Sequence, residues 1–197
     1  MEPNLLAELG VASGAAAASG LRLYGTVAAL GLLQHFGVLQ LPGSLEVLGH
    51  PVIIGLATIL YVAEFIADKV PVFDSIWDAI HTFIRIPAGA VLAFGLLHDV
   101  QEPWRTAAAL LGGAVALSAH GLKASARLGA NASPEPFSNW GLSFSEELAV
   151  IGVLWLAVAQ PLAAIVVGMV LIVSAVLAAG WIIRALGRLF SRTPAPA

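Results

Sequence analysis

Apolar residues run along most of this chain, and short breaks rich in proline, glycine or charged residues interrupt them. A helix needs about 20 mainly apolar residues to cross the roughly 30 Å hydrocarbon core of a bilayer. The pattern predicts an all-α fold, a polytopic transmembrane helical bundle of about six spans. The candidate spans are residues 10–37, 51–69, 75–98, 106–129, 146–160 and 161–184.

The last two candidate spans follow each other without a polar break. As a single helix at ~1.5 Å per residue they would measure about 58 Å, far more than the bilayer core. The run must therefore break, and Gln160–Pro161 is the expected place, because proline lacks the amide hydrogen that a helix interior requires. Residues 146–160 are short for a crossing, so five spans plus a re-entrant helix are the alternative.

The chain is too short for several domains. We expect a single transmembrane helical domain over residues 1–190 and a short disordered tail over residues 191–197. Residues 18–25 ("ASGLRLYG") match residues 119–126 ("AHGLKASA") at Ala, Gly, Leu and a basic residue. Three spans per half would make a 3+3 inverted repeat, as in many transporters, and chance similarity is the other explanation.

Composition supports the membrane class. Only 11% of the residues are charged, whereas soluble domains carry roughly a quarter. The net charge of −3 comes without a basic patch, so nucleic acid is not an expected partner. The chain has no cysteine, which excludes disulfides, iron–sulfur clusters and thiolate metal sites.

The distribution of Lys and Arg predicts the orientation, because cytoplasmic loops carry an excess of both. With six spans, the outer side receives only Arg105. The predicted orientation therefore places both termini in the cytoplasm. The inner side receives Lys69, Lys123, Arg127, Arg184, Arg188 and Arg192.

Ionisable residues form a stripe on the third candidate span. Asp74, Asp78, His81 and Arg85 are spaced at i, i+4, i+7 and i+11, so a helix places all four within about 60° of one another. A charge at the bilayer centre costs at least ~2.5–3.5 kcal/mol. The stripe is therefore expected to point into the bundle.

Other spans supply further charges. Glu64 and Asp68 lie four residues apart in the second span, and the "DKVP" turn that follows brings them towards the third. Arg22 lies near the middle of the first span. His120, Lys123 and Arg127 are spaced at i, i+3 and i+7 and therefore share one face of the fourth span.

Two interpretations of these groups stay open. In the first interpretation, they are structural ion pairs that fix the register of the bundle. In the second, they line a hydrated path or a binding site, which is the default hypothesis for intramembrane charges. A metal site is a more specific form of the second interpretation, in which carboxylates and a histidine bind a divalent cation. Lys69 and Arg85 would compete for those carboxylates, so no cofactor is the main expectation. The candidate metal ligands are Glu64, Asp68, Asp74, Asp78 and His81.

The segment 131–150 is more polar than a plain connector needs. Asn131, Glu135 and Asn139 could fold back as a gate or line the site. Ser143 and Glu146 form the Ser-x-x-Glu pattern of a capping box, which predicts the start of the next helix.

Three motifs carry a family resemblance: "EFIADKVPVFDSIWDAIHTFIR", "AHGLKASARLGANASPEPFSN" and "SFSEEL". Together they resemble a bacterial and plant membrane-protein family catalogued as domain of unknown function 4126. The resemblance implies a small polytopic membrane protein, in bacteria of the inner (cytoplasmic) membrane, and supplies no activity. This chain has Glu146-Glu147 where the family often has Glu-Asp, and Arg85-Ile86-Pro87 where it often has Arg-Pro. The matching motif residues are Glu64, Asp68, Lys69, Asp74, Asp78, His81, Arg85, Lys123, Arg127, Asn131, Glu135 and Asn139.

The leading hypothesis is a small transporter or channel for an ion or a polar or anionic metabolite, embedded in the lipid bilayer and expected to be a homo-oligomer. A divalent-metal-dependent membrane enzyme acting on lipid or prenyl substrates, and a membrane assembly or scaffold protein, are the alternatives. Catalytic motifs are absent, so no catalytic residue is assigned. The residues expected to bind the ion or substrate are Arg22, Glu64, Asp68, Lys69, Asp74, Asp78, His81, Arg85, His120, Lys123, Arg127, Asn131, Glu135 and Asn139.

Overall fold

The computed structural model describes residues 3–70, 73–131 and 137–190, and that part of the chain is helical and contains no strand. The predicted tail 191–197 lies outside the described residues. The helices are α1 Pro3–Leu21, α2 Leu23–His35, a 3-10 helix Gly43–Gly49, α3 Pro51–Ala67, α4 Phe73–Leu96, α5 Glu102–Asn131, α6 Phe137–Ala159 and α7 Pro161–Phe190.

Several of these helices are long and apolar enough to cross a bilayer. In the described residues, α4, α5, α6 and the part Pro161–Arg184 of α7 qualify. The 3-10 helix and α3 are bent by 70° relative to each other and make a fifth crossing if the pair is one span. The chain is thus an all-α membrane protein with four or five candidate spans, and the six-span count and the 3+3 repeat are not confirmed.

The predicted break at Gln160–Pro161 is confirmed. Helix α6 ends at Ala159, and α7 begins at Pro161, where the missing proline amide costs no helical hydrogen bond. Helix α6 begins at Phe137, well before residue 146, and is long enough to span. The capping-box prediction is wrong, because Ser143 lies inside this helix instead of at its start.

The first predicted span is not one continuous helix. Arg22 has an extended backbone (φ −145°, ψ 92°) between α1 and α2. Before this break, Gly10 lies against Pro161; after it, Gly25 lies against Tyr61 and Gly31 against Leu48. The chain therefore runs to Arg22 and then turns back, although no proline marks the position.

These contacts define two ends of the bundle. We call the end at which α4 begins and α5 ends the charged end, and the end at which α4 ends and α7 begins the apolar end. Helix α2 runs from Arg22 back to the apolar end, where Gly31 meets the 3-10 helix and that helix meets Gly95 through Leu45. Helix α3 then returns to the charged end.

Helices α1 and α7 run side by side in the same direction. Ser13 donates a hydrogen bond to the carbonyl of Ala164 (3.1 Å), and Gly10 lies against Pro161. The described start of α1 and the described end of α7 therefore lie at opposite ends of the bundle. The prediction that both termini are on one side of the membrane has no support from these helix directions.

Helix α1 forms the centre of the bundle and packs against α4, α5, α6 and α7. Ala15, Ala16 and Ala18 are completely buried. At Gly20 a side chain would overlap the carbonyl oxygen of Ala116. Small residues thus let the helix backbones approach closely, as is usual for helix contacts in membranes.

Candidate functional site

Charged side chains from five segments meet inside the bundle near its charged end. Each one is nearly or completely buried, except Glu147, whose side chain is 18% exposed. Because no lipid or water reaches most of them, each must find its partners within the protein. We call this group the charged cluster; its members are Arg22, Glu64, Asp68, Asp74, Asp78, Arg85, Lys123, Arg127, Glu146 and Glu147.

The stripe on α4 points inward, as predicted. Asp74 and Arg85 are completely buried, and Asp78 is 4% exposed. Ile80 and Phe83 on the opposite face are exposed to the surroundings of the bundle. The helix continues through Pro87 without ending.

Arg22 is held by carboxylates from two helices. Its guanidinium lies 2.7 Å from Asp68, 3.1 Å from Glu146 and 2.9 Å from Glu147. It also donates to the hydroxyl oxygen of Ser143 (2.9 Å). The break between α1 and α2 therefore lies where the arginine side chain enters the cluster.

Arg127 joins α5 to α6. Its Nε and Nη2 donate to the two carboxylate oxygens of Glu146 at 3.0 and 2.9 Å, a bidentate pair. The same guanidinium lies 3.2 Å from the Asp68 carboxylate and also donates to the Asp68 carbonyl.

Lys123 is the most shared cation of the cluster. Its ammonium lies 3.1 Å from Asp68, 3.4 Å from Glu146, 3.6 Å from Asp78 and 3.9 Å from Glu64. It therefore links the carboxylates around Arg22 and Arg127 to those deeper in the bundle.

Arg85 contacts the members of the charged cluster that lie farther from the charged end. It donates to Glu64 and, at 3.0 Å, to Asp78. It also donates to Nδ1 of His120 at 2.7 Å, which requires a lone pair on that nitrogen. Since Thr82 uses its hydroxyl hydrogen on the Asp78 carbonyl, its oxygen accepts from His120 Nε2 at 2.7 Å. His120 is thus neutral, with its hydrogen on Nε2.

Asparagines close the cluster towards the charged end. Asn131 donates to both carboxylate oxygens of Asp74 (3.1 and 2.9 Å), and Asn139 donates to the Asn131 oxygen (2.6 Å). These contacts bring together the start of α4, the end of α5 and the start of α6. Glu135, predicted to act with them, lies outside the described residues.

His81 and Lys69 lie at the edge of the cluster. The ring nitrogens of His81 form hydrogen bonds with the Trp77 carbonyl (2.7 Å) and the Tyr24 hydroxyl (3.1 Å). Among the described residues, His81 has no ion-pair partner. The Lys69 ammonium, in the turn after α3, stacks on the Phe65 ring at 2.9 Å. Burial lowers the pKa of Lys69, and the positive charge of Arg22 adds to that shift.

The candidate metal ligands do not gather around one point. Within the described ranges, no three Asp, Glu or His side chains are arranged to hold a metal ion. The physical reason is the position of the cations: Arg85 lies between Glu64 and Asp78, and Arg127 and Lys123 contact Asp68. The sequence-based expectation that Lys69 and Arg85 would compete for these carboxylates thus holds for Arg85.

On α6 the sequence predicted Asn139 as a site residue but not Glu146 and Glu147, which belong to the charged cluster. Asn139, Ser143 and Glu146 are buried at i, i+4 and i+7, the same spacing that identified the stripe on α4. This periodicity was available as a signal. The capping-box interpretation hid it, because it assigned Ser143 and Glu146 to a helix start.

A cavity of about 150 Å³ lies away from the cluster, towards the apolar end. Its lining is almost entirely apolar and comes from α1, α4, α5 and α7, with Ser13 as the polar member. No member of the charged cluster lines this cavity.

The comparisons with known proteins add a family and no activity. No curated protein and no solved structure matches the chain. A family model matches residues 9–181, which include every member of the charged cluster. The membrane helices and the motifs around the cluster thus lead to one assignment: the chain belongs to the family described as Domain of unknown function (DUF4126).

Proposed function

We propose that this membrane protein moves a small ion or polar solute across the bilayer and that the charged cluster is its binding site. The observation that carries the proposal is the burial of nine ionisable side chains among apolar helices, with the partly exposed Glu147 as the tenth member of the cluster. Charges at membrane depth are costly and mark ion or substrate pathways in membrane proteins. A bundle held only by packing would not need so many.

The break at Arg22 supports the same proposal. Many transporters bind their substrates where a membrane helix is interrupted. Here the interruption between α1 and α2 brings Arg22 to Asp68, Glu146 and Glu147. An interruption of this kind offers a hinge at the site itself.

The charge balance favours a cation. Six carboxylates face four basic side chains in the cluster as we define it, and Lys69 at the edge adds a fifth basic group. Each of the four buried cations already has at least two carboxylate partners. An anionic metabolite would have to displace those partners, whereas a cation would complete the balance.

The charged end is the proposed cytoplasmic end. Lys123 and Arg127 do not count for orientation, because they are buried in the cluster. Lys69 lies at the charged end and the exposed Arg184 lies in the part of α7 that runs towards it, whereas Arg105 lies at the apolar end near the start of α5. The excess of positive charge at the charged end favours the cytoplasmic side, in a bacterium the cytoplasmic face of the inner membrane.

A flux assay tests the proposal. Purified protein is reconstituted into liposomes, and uptake of protons, alkali cations and small cationic metabolites is measured. We expect a flux for at least one of them that Asp78→Asn reduces at least tenfold. Asp99→Asn, the same change at an exposed position, is the matched control. Equal flux for wild type and Asp78→Asn with every solute would remove the support for transport.

A purely structural role is the second candidate function. The observation that favours it is that each of the four buried cations already contacts at least two carboxylates inside the protein. In that case Asp78→Asn together with Arg85→Gln should preserve the cellular function, while each single change destabilises the fold. Loss of function in a stable double variant would argue for the transport role.

A further inference from the structure

Two carboxylate oxygens deep in the cluster have no hydrogen-bond donor. They are Oε2 of Glu64 and Oδ2 of Asp78. Glu64 is completely buried, and Asp78 is 4% exposed. A buried ionised oxygen without a donor loses its solvation and receives nothing in return. These are the oxygens at which an added hydrogen or cation would be most stabilising.

The two carboxylates share the same cations through their other oxygens. Arg85 contacts Oε1 of Glu64 and Oδ1 of Asp78, and Lys123 lies 3.9 Å from the first and 3.6 Å from the second. The two carboxylates therefore share one guanidinium and one ammonium group. Since Lys123 also contacts Asp68 and Glu146, its charge is divided among four carboxylates.

The geometry restricts the ion that can bind here. Ca²⁺ requires about six to eight oxygen ligands and Mg²⁺ about six, yet no three acidic or histidine side chains are arranged for a metal in the described ranges. The cavity of about 150 Å³ lies towards the apolar end, and neither Glu64 nor Asp78 lines it. A proton needs a single oxygen and no free volume.

We propose that Glu64 and Asp78 together hold one exchangeable proton. The proton is bound at Oε2 of Glu64 or Oδ2 of Asp78, and the protonated carboxyl still offers its other oxygen to Arg85. On release the proton passes to solvent, and a second full negative charge is left beside Arg85 and Lys123. This proposal rests on the proposed function for its role in transport and names the proton as the coupling ion.

Other titratable groups face the pair, so a simple pH profile would not identify it. Neutral His120 accepts from Arg85, and its protonation would remove that contact. The readout must therefore be specific for a carboxyl group. The groups that face Glu64 or Asp78 are Tyr24 of α2, Tyr61 of α3, His81 and Arg85 of α4, and His120, Lys123 and Arg127 of α5.

Infrared spectroscopy provides that readout, because a protonated carboxyl has its own C=O stretching band. The full-length protein in lipid nanodiscs is titrated over the pH range in which it stays folded. We expect one band that disappears as the pH rises, that Glu64→Gln or Asp78→Asn weakens at least twofold, and that the double variant lacks. Asp99→Asn should leave the band unchanged.

Two results for the titrating band would contradict the proposal. A titrating band of full strength in both single variants, or no titrating band in the wild type, would overturn the proposal. If Glu64→Gln and Asp78→Asn fail to fold, Glu64→Asp keeps the charge, and a shift of the band to another frequency would identify the pair. An unshifted band in that variant, together with the two unfolded ones, would count against it.

Flux measurements separate this inference from the proposed function. A titrating band from Glu64 and Asp78 in a protein that transports nothing would leave the proton pair intact and remove the transport role. A flux that depends on Asp78 without any titrating carboxyl band would do the reverse.

Discussion

Helix α1 passes through the half of the bundle next to the apolar end (the apolar half) and reaches the half next to the charged end (the charged half). It packs differently in each. Towards the apolar end, alanines such as Ala15 and Ala16 and a glycine at residue 14 let neighbouring helices come close. At the charged end, Arg22 follows the same helix and contacts three carboxylates. One helix is thus positioned by shape in one half and by charge in the other.

The difference matters for how each half tolerates change. Packing in membranes depends on contact, since lipid tails are as apolar as the side chains they replace. A buried charge depends instead on its partner, and removing one partner leaves the other uncompensated. We therefore expect the apolar half to be sensitive to added volume and the charged half to be sensitive to lost charge.

The largest expected effect is at Arg22. Arg22→Gln leaves Asp68 and Glu146 with fewer cations, and breaking a buried pair typically costs about 3–5 kcal/mol. Unfolding free energy in lipid bicelles, measured by steric trapping, checks the value. The control is Arg184→Gln at an exposed position of α7, where we expect less than ~0.5 kcal/mol. Equal effects of the two changes would contradict a charge-dependent half.

A smaller effect is expected from added volume in the apolar half. At Gly10 an alanine side chain would overlap Cα and Cβ of Pro161, which belong to the backbone and its ring and cannot move away cheaply. Overpacking of this kind costs roughly 1–3 kcal/mol. Gly121, which has open space around it, is the matched control; Gly121→Ala should stabilise by up to ~1 kcal/mol. If the unfolding free energy of Gly10→Ala is not lower than that of Gly121→Ala, the prediction is wrong.

The Asp78–Arg85 pair allows the charged half to be examined within itself. A double-mutant cycle with Asp78→Asn and Arg85→Gln should give an interaction energy of about 0.5–3 kcal/mol. Because Lys123 and His120 also contact this pair, the double variant does not regain full stability. Additive single effects in unfolding experiments would show that the contact contributes nothing.

The sequence predicted the charged half better than the path of the chain. The spacing of Asp74, Asp78 and Arg85 identified an inward stripe, because charge in an apolar helix has few places to point. The reversal at Arg22 had no local signal, such as a proline. It depends on tertiary contacts: the carboxylates of Asp68 and Glu146 attract the arginine, and the apolar runs on both sides fit one long span equally well.

The same serine substitution in the two halves gives the smallest and most direct comparison. Ser13 donates to the Ala164 carbonyl in the apolar half, whereas the Ser143 hydroxyl accepts from Arg22 at 2.9 Å and from Lys69 at 3.2 Å. Helix–helix hydrogen bonds in membranes average about 0.6 kcal/mol, and those to charged groups contribute about 1.5–3 kcal/mol. Ser143→Ala should therefore lower the unfolding free energy at least twice as much as Ser13→Ala, measured in the same bicelles. An equal or reversed order would mean that the two halves do not differ in what holds them, since shape and volume change identically in both variants.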